Sequence, residues 1–278
     1  MRSYAVLGGT GSTGSRIINQ LLKEEDVQLN VYARSKAKLE EQIPLLIGSP
    51  RAQIFTGSIT NTDILADCLD GVHAIFLAIG TNYNEPDCTL VQQVASSLVA
   101  SLQILRSRSQ RSGISNSTPW SCPTLVLLSS AGVHAHLFAQ EPLIFKFLTS
   151  RGCYYIYKDL ELAEKFLRGY KWLPLVVVHP GGLVHDRAYG VRIGENEGTD
   201  RVGYDDLAMA MILAADGKAT PSDKTIDRTK WVGKGVGVVS FGGDDVAIPT
   251  GNMKYLLTGI CVYWFPFLWH VFKVLGVI

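Results

Sequence analysis

Tyr4–Ile17 reads YAVLGGTGSTGSRI, an apolar run that stops at paired glycines and passes within a few residues into a helical pattern. Two glycine spacings overlap there. Gly8, Gly11 and Gly14 make G-x-x-G-x-x-G, while Gly9, Gly11 and Gly14 make G-x-G-x-x-G. Either spacing alone is weak evidence. Here it closes a predicted first strand and opens a helix, the setting in which such a turn holds a dinucleotide. Without Cβ atoms the backbone can turn tightly and approach a pyrophosphate. Free N–H groups and the positive end of the helix dipole then attract the charge. The candidate phosphate cradle is Gly8, Gly9, Thr10, Gly11, Ser12, Thr13 and Gly14. A glycine-rich turn without a ligand is the rival reading, and it does not require this strand–turn–helix order.

Outward from that turn, short apolar runs alternate with helical patterns. QLNVYAR, AQIFTG, HAIFLAIG, TLVLLSSAG, LPLVVVHPGG and GVGVVSFGG predict further strands; TDILADCL, LVQQVASSLVASLQIL, CYYIYKDLELAEKFLR and DDLAMAMILAA predict helices. The strands are continuously apolar rather than alternating, as in a parallel sheet covered on both faces. The expected fold is α/β, a Rossmann-type doubly wound parallel sheet with a small C-terminal substrate lobe. Residues 1–278 read as one domain, with substrate-binding elements in 184–203 and 245–278. Arg106–Pro123 is polar and serine-rich and predicts an exposed insertion; Val184–Gly203 predicts a glycine-rich charged loop beyond the sixth strand.

The second strand ends at Arg34, twenty residues after Gly14. An acidic residue there would bind ribose hydroxyls, whereas a guanidinium suits a 2′-phosphate. NADP(H) is therefore expected over NAD(H). By topology, Ser58 and Ile59 line the adenine, Ala78 and Gly80 pass beside the ribose, and His179, Pro180 and Gly181 close the crevice at the sixth strand.

Tyr154 and Lys158 lie one helical turn apart and face the same way. The strand before that helix ends in Ser129 and Ser130, and Ser130 is the preferred partner, with Ser129 as the alternative. A tyrosine of ordinary pKa, ~10, is a poor acid–base group at neutral pH. A nearby ammonium stabilises its phenolate and can also bind the nicotinamide ribose. A serine hydroxyl would polarise a substrate carbonyl. Tyrosines are frequent enough in this chain for the Tyr-x-x-x-Lys spacing to arise by chance, so the surrounding elements must carry the argument.

Together GGTGSTG, Arg34, SSAG, YYIYK and HPGG make the chain resemble the short-chain dehydrogenase/reductase superfamily over most of residues 3–215. The glycine spacing and HPGG resemble its atypical, NmrA-like branch, and within that the averufin-oxidase-like fungal tailoring oxidoreductases of aromatic polyketide pathways. The resemblance implies a Ser130, Tyr154 and Lys158 triad, with Gly8, Gly11, Gly14 and Arg34 on the cofactor. His179 replaces the arginine common before Pro-Gly in such proteins, and Ser58 replaces a common aspartate. The implied activity is NADPH-dependent reduction of a carbonyl, enol or quinone-type group on a small hydrophobic, aromatic metabolite. An NADP(H)-binding sensor and a redox-neutral isomerase or dehydratase are the alternatives.

The 26 basic and 25 acidic residues provide no electrostatic footprint for nucleic acid. Five scattered cysteines without C-x-x-C predict reduced thiols in a cytoplasmic setting, and the chain enters its first strand with no signal peptide expected before it. His134 and His136 form H-x-H without a third-ligand pattern, so no metal is expected. Asp205 reads as a helix N-cap. Tyr255–Ile278 is long enough to span a bilayer but carries Pro266, His270 and Lys273. It reads first as a buried terminal helix or pocket wall, and second as a surface-lying aromatic helix in contact with a membrane. Oligomeric state is not legible.

Overall fold

In a computed structural model, which describes residues 2–111, 120–199, 201–247 and 250–278, the apolar runs become strands. They are β1 (Arg2–Leu7), β2 (Val27–Ala33), β3 (Ala52–Thr56), β4 (Ala74–Leu77), β5 (Thr124–Leu128), β6 (Leu175–His179), β7 (Gly182–Val184), β8 (Val191–Gly194), β9 (Arg201–Gly203) and β10 (Gly235–Ser240). The helices are α1 (Ser12–Leu21), α2 (Lys36–Gln42), α3 (Thr62–Leu69), α4 (Leu90–Arg111), α5 (Ala135–Gln140), α6 (Leu143–Gly152), α7 (Tyr154–Arg168), α8 (Tyr204–Asp216), α9 (Met253–Trp264) and α10 (Leu268–Val274).

The main sheet has eight strands in the order β3-β2-β1-β4-β5-β6-β10-β8, parallel except where β8 runs against β10. Side-chain alternation along β1 explains the layering. Tyr4 and Val6 enter a core with Ile17, Leu207 and Met211 of α1 and α8. Ala5 and Leu7 enter a second core with Leu65, Val94, Leu98 and Leu160 of α3, α4 and α7. Both faces are thus covered, which is why the strands read as continuous apolar runs. The fold is the expected Rossmann-type α/β arrangement, and it lines up the carboxyl ends of the parallel strands along one edge.

Three segments differ from expectation. Val184–Gly203 is not a plain loop: it contains β8, which completes the sheet edge by burying Val191 and Ile193, and β9, which pairs with β7. Surrounding glycines and charges mask those short strands. Arg106–Arg111 belongs to α4, where Arg108 pairs with Asp63 and Asp67 of α3; residues 112–119 of the expected insertion lie outside the described residues. Asp205 does not cap α8, because Gly203 holds the cap position. The neighbouring Asp206 carboxylate instead accepts the N–H groups of Tyr189 and Gly190 and ties the β8 approach to α8. The terminal segment is not buried either. Pro266 divides it into α9 and α10, and no described helix is long and apolar enough to cross a membrane.

At the opposite edge, the N–H of Ser3 donates to His73 Nδ1 at 2.8 Å, which requires that nitrogen to be unprotonated. Burial, reinforced by the Arg228 charge, lowers the His73 pKa to about 4. Unfolded, the ring titrates near ~6.5. Its contribution to stability is therefore complete above about 6.5 and is lost as pH falls towards about 4, where the unfolded chain takes up a proton that the folded chain refuses. His73→Asn keeps an acceptor that does not titrate. Thermal melts of this variant should fall less steeply between these two pH values than wild type; parallel curves would remove His73 from the acid response.

Candidate functional site

Glycines build the phosphate end by close backbone contact. Gly8 takes φ +97°, and a Cβ on it would lie 2.6 Å from the carbonyl oxygen of Ala78. A Cβ on Gly14 would lie 2.2 Å from the Gly8 carbonyl oxygen. The turn therefore folds onto itself and onto the end of β4, and the concavity exists only without side chains there. Gly11 is the N-cap of α1, with no side chain accepting from the helix's first N–H groups. Those donors, with Thr10, Ser12 and Thr13 around them, form a cradle suited to a dinucleotide pyrophosphate. Gly9 packs tightly too: its Cβ would meet Ile18 and Val31 at 2.9 Å.

The remaining expected cofactor positions follow the carboxyl edge. Arg34 is exposed immediately after β2, and among the described residues it enters no ion pair. Ser35 beside it caps α2. Ser58 follows β3; its carbonyl accepts the Tyr32 hydroxyl at 2.8 Å and its own hydroxyl meets Thr60. Ile59 packs against the second core. Ala78 abuts the glycine turn, and Gly80 is exposed just beyond it. Pro180 accepts the N–H of Ala131, holding the ends of β5 and β6 together, with Gly181 next in line.

At the β5 end the two serines separate. Ser129 is buried and donates to Glu164 Oε1 at 2.5 Å, and His179 Nε2 lies 3.2 Å from the same oxygen. Burial opposes the charge of Glu164, but hydrogen bonds from His179 and Ser129 outweigh it and hold the carboxyl below its usual range. Ser129 is thereby committed to a buried network. His179 belongs to that network rather than facing the cofactor edge; only Pro180 and Gly181 remain there. Ser130, half-buried, stays available.

Tyr157 is the tyrosine whose hydroxyl lies near Ser130, and its ring packs on Gly132, where a Cβ would lie 2.4 Å away. The Ser130 hydroxyl itself accepts the Gly132 N–H at 3.2 Å. Burial raises the Tyr157 hydroxyl above the ordinary tyrosine range. The Tyr-x-x-x-Lys spacing does not single out Tyr157. Tyr154 lies one turn earlier on α7, 40% exposed, with its ring 5.1 Å from those of Tyr155 and Tyr263. Lys158 is exposed. The structure thus sets Tyr157 beside Ser130 and leaves Tyr154 and Lys158 open, with no hydrogen bond from either to Ser130 among the described residues. Cys153 is no nucleophile, since burial pushes its thiol up to about 11.

A cavity of about 260 Å³ opens beside this strand end, lined by Ala131, Leu137, Gln140, Pro142, His179 and Thr199 among others. His134 does not reach out as a ligand. It caps α5 by accepting from Leu137 and meets the His179 ring edge-on with 4.7 Å between centroids. Burial, with His179 beside it, keeps its pKa below the usual histidine range. No metal-ligating group of three or more His, Cys, Asp or Glu occurs among the described residues.

Comparison with known proteins agrees with this geometry. A family model described as NAD(P)H-binding matches residues 8–216. Oxidoreductase nsrR of Aspergillus novofumigatus is 36% identical over 268 residues, covering 96% of this chain and 95% of that protein. Oxidoreductase aflX of Aspergillus parasiticus is 32% identical, covering 98% and 96%. A solved short-chain dehydrogenase/reductase of Veillonella parvula, in complex with NADP, superposes with TM-score 0.59 at 17% identity, covering 87% of this chain and 95% of that one.

Proposed function

The chain belongs to the NAD(P)H-binding family, and from that premise we propose that it is an NADPH-dependent oxidoreductase. It reduces a carbonyl, enol or quinone-type group of a small hydrophobic, aromatic, polyketide-like metabolite. The glycine cradle carries this reading, because it leaves the first N–H groups of α1 without a side-chain partner at a concave backbone turn suited to a diphosphate. The names of the fungal relatives as oxidoreductases support the reaction class, and Arg34 supports a 2′-phosphate over bare ribose hydroxyls.

In this crevice NADPH supplies a hydride. The chain's residues do the rest. The α1 N-terminus and glycine N–H groups hold the diphosphate, Arg34 the 2′-phosphate. Ser130, whose hydroxyl oxygen accepts the Gly132 N–H, donates a hydrogen bond to the substrate oxygen and draws charge onto it. Tyr154 delivers the proton, and Lys158 one turn along stabilises the phenolate left behind. Residues 184–203 and 245–278 form the substrate side of a single domain.

Calorimetric titration tests the cofactor half. Arg34→Ala should weaken NADPH binding by ~10–100-fold, as expected for loss of a charge-assisted contact, and leave NADH binding almost unchanged. Equal losses for both nucleotides would place Arg34 elsewhere. Turnover is tested by following NADPH absorbance with aromatic ketones and quinones. A second reading, a nucleotide-responsive binding protein, draws on the openness of Tyr154 and Lys158; binding without turnover on any such acceptor would favour it.

A further inference from the structure

α6 and α9 pack directly on one another. A Cβ on Gly259 would lie 2.0 Å from the Gly152 carbonyl oxygen, and one on Gly152 would meet Leu256 at 2.4 Å. α10 follows after Pro266 and is anchored by Trp269, which meets the Tyr83 ring edge-on with 6.3 Å between centroids. These helices are stably attached to the body, yet their outer surface is apolar. Leu143 and Ile144 of α6 are 84% and 71% exposed, and Trp264, Phe267, Val274 and Leu275 of the terminal helices lie between 58% and 87%. Scattered exposed apolar residues are ordinary, but a concentration of this kind marks a surface that something covers.

The charge on the same helices identifies what fits. α6, α9 and α10 contain Lys146, Arg151, Lys254 and Lys273 and no aspartate or glutamate, although the whole chain has 26 basic and 25 acidic residues. Lys254 and Lys273 are exposed. Among the described residues none of the four enters an ion pair. A second copy packed symmetrically on this face would set cation against cation. An anionic bilayer surface presents the opposite charge and an apolar interior beneath it. Aromatic residues flanked by lysines are the residue types favoured at that boundary.

We propose that the α6, α9 and α10 face is a membrane-docking surface that lies in the headgroup region of an anionic bilayer without crossing it. The helices are too short to span, so contact is by partial insertion of Trp264, Phe267 and Leu143, with the lysines on phosphates. The Tyr154 ring meets Tyr263 of α9 edge-on, which places the opening of the α7 site next to the docked face. Docking does not depend on the proposed reaction and is measured without turnover.

The test is co-sedimentation of the full chain with phosphatidylcholine vesicles and with vesicles that also contain phosphatidylserine, with tryptophan emission followed in parallel. Binding should be at least about tenfold tighter to the anionic vesicles, given roughly 1 kcal/mol for each surface lysine, with a blue-shifted emission. Leu143→Glu and Phe267→Glu, both at exposed positions, should abolish binding while melting temperature and NADPH affinity are retained. Absence of binding to anionic vesicles overturns the proposal, as does equal binding to both vesicle types. So does a wild-type dimer in light scattering that the two glutamate variants dissociate, since a second copy would then cover the face.

Discussion

Tyr154→Phe will lower turnover by ~10²–10⁴-fold, the usual weight of a positioned proton donor, while NADPH affinity stays within about twofold. The two tyrosines on the same side of α7 have different surroundings. Tyr157 lies beside Ser130, is packed on Gly132 and is raised in pKa by burial. Each of those features makes it slow to exchange a proton with solvent and well suited to fixing a neighbour. Tyr154 is open, with Lys158 one turn along the same helix. Tyr157→Phe keeps the ring on Gly132, so turnover should fall no more than roughly fivefold, through a small displacement of Ser130. Steady-state kinetics and calorimetry on both variants decide the matter. If Tyr157→Phe carries the loss of orders of magnitude and Tyr154→Phe does not, the proton passes through Tyr157.

The same pair shows where reading the sequence stops. Tyr154 and Tyr157 are three residues apart, so both point to one side of the helix, and local spacing cannot say which meets Ser130. That is decided by how α7 docks. Asp159, buried, accepts the N–H groups of Val91 and Gln92 and so fastens α7 to the start of α4, and Leu160, Ala163 and Leu167 pack behind it. This register turns Tyr157 and Glu164 towards β5. The Ser129–Glu164–His179 network is equally invisible in advance, because its members come from three elements and meet only once β5 and β6 are paired. The glycine turn was legible because the contacts that demand glycine at Gly11 and Gly14 lie within a few residues, and the more distant ones, Ala78 against Gly8 and Val31 against Gly9, come from strands or strand ends apparent from their apolar runs. The terminal helices were legible as apolar but not as exposed. Amphipathic period is weak there, and only their attachment through Gly152 and Gly259 shows which surface remains outside.

Gly14→Ala will reduce NADPH affinity by more than ~100-fold and lower the melting temperature by several degrees. Gly14 lies within α1, where helix propensity alone favours alanine by ~1 kcal/mol. The contact acts in the opposite direction. A Cβ there would stand 2.2 Å from the Gly8 carbonyl oxygen, 2.8 Å from its carbon and 3.2 Å from Gly9 Cα. All three are backbone atoms, so no rotamer change relieves the overlap. Overpacking of this kind costs ~1–3 kcal/mol or more, and relief requires Gly8 and Gly9 to move out of the concavity that receives the diphosphate. Gly8 is itself held at φ +97° against Ala78, so the displacement would spread into the end of β4. Gly11→Ala is the matched control. Its Cβ would lie 3.3 Å from the Gly8 carbonyl oxygen, which a shift of a few tenths of an ångström accommodates, and binding should fall far less. Calorimetry with circular dichroism separates the two effects. A folded Gly14→Ala variant that binds NADPH normally would show that the turn is merely tight, and the phosphate site would have to be sought elsewhere along the carboxyl edge.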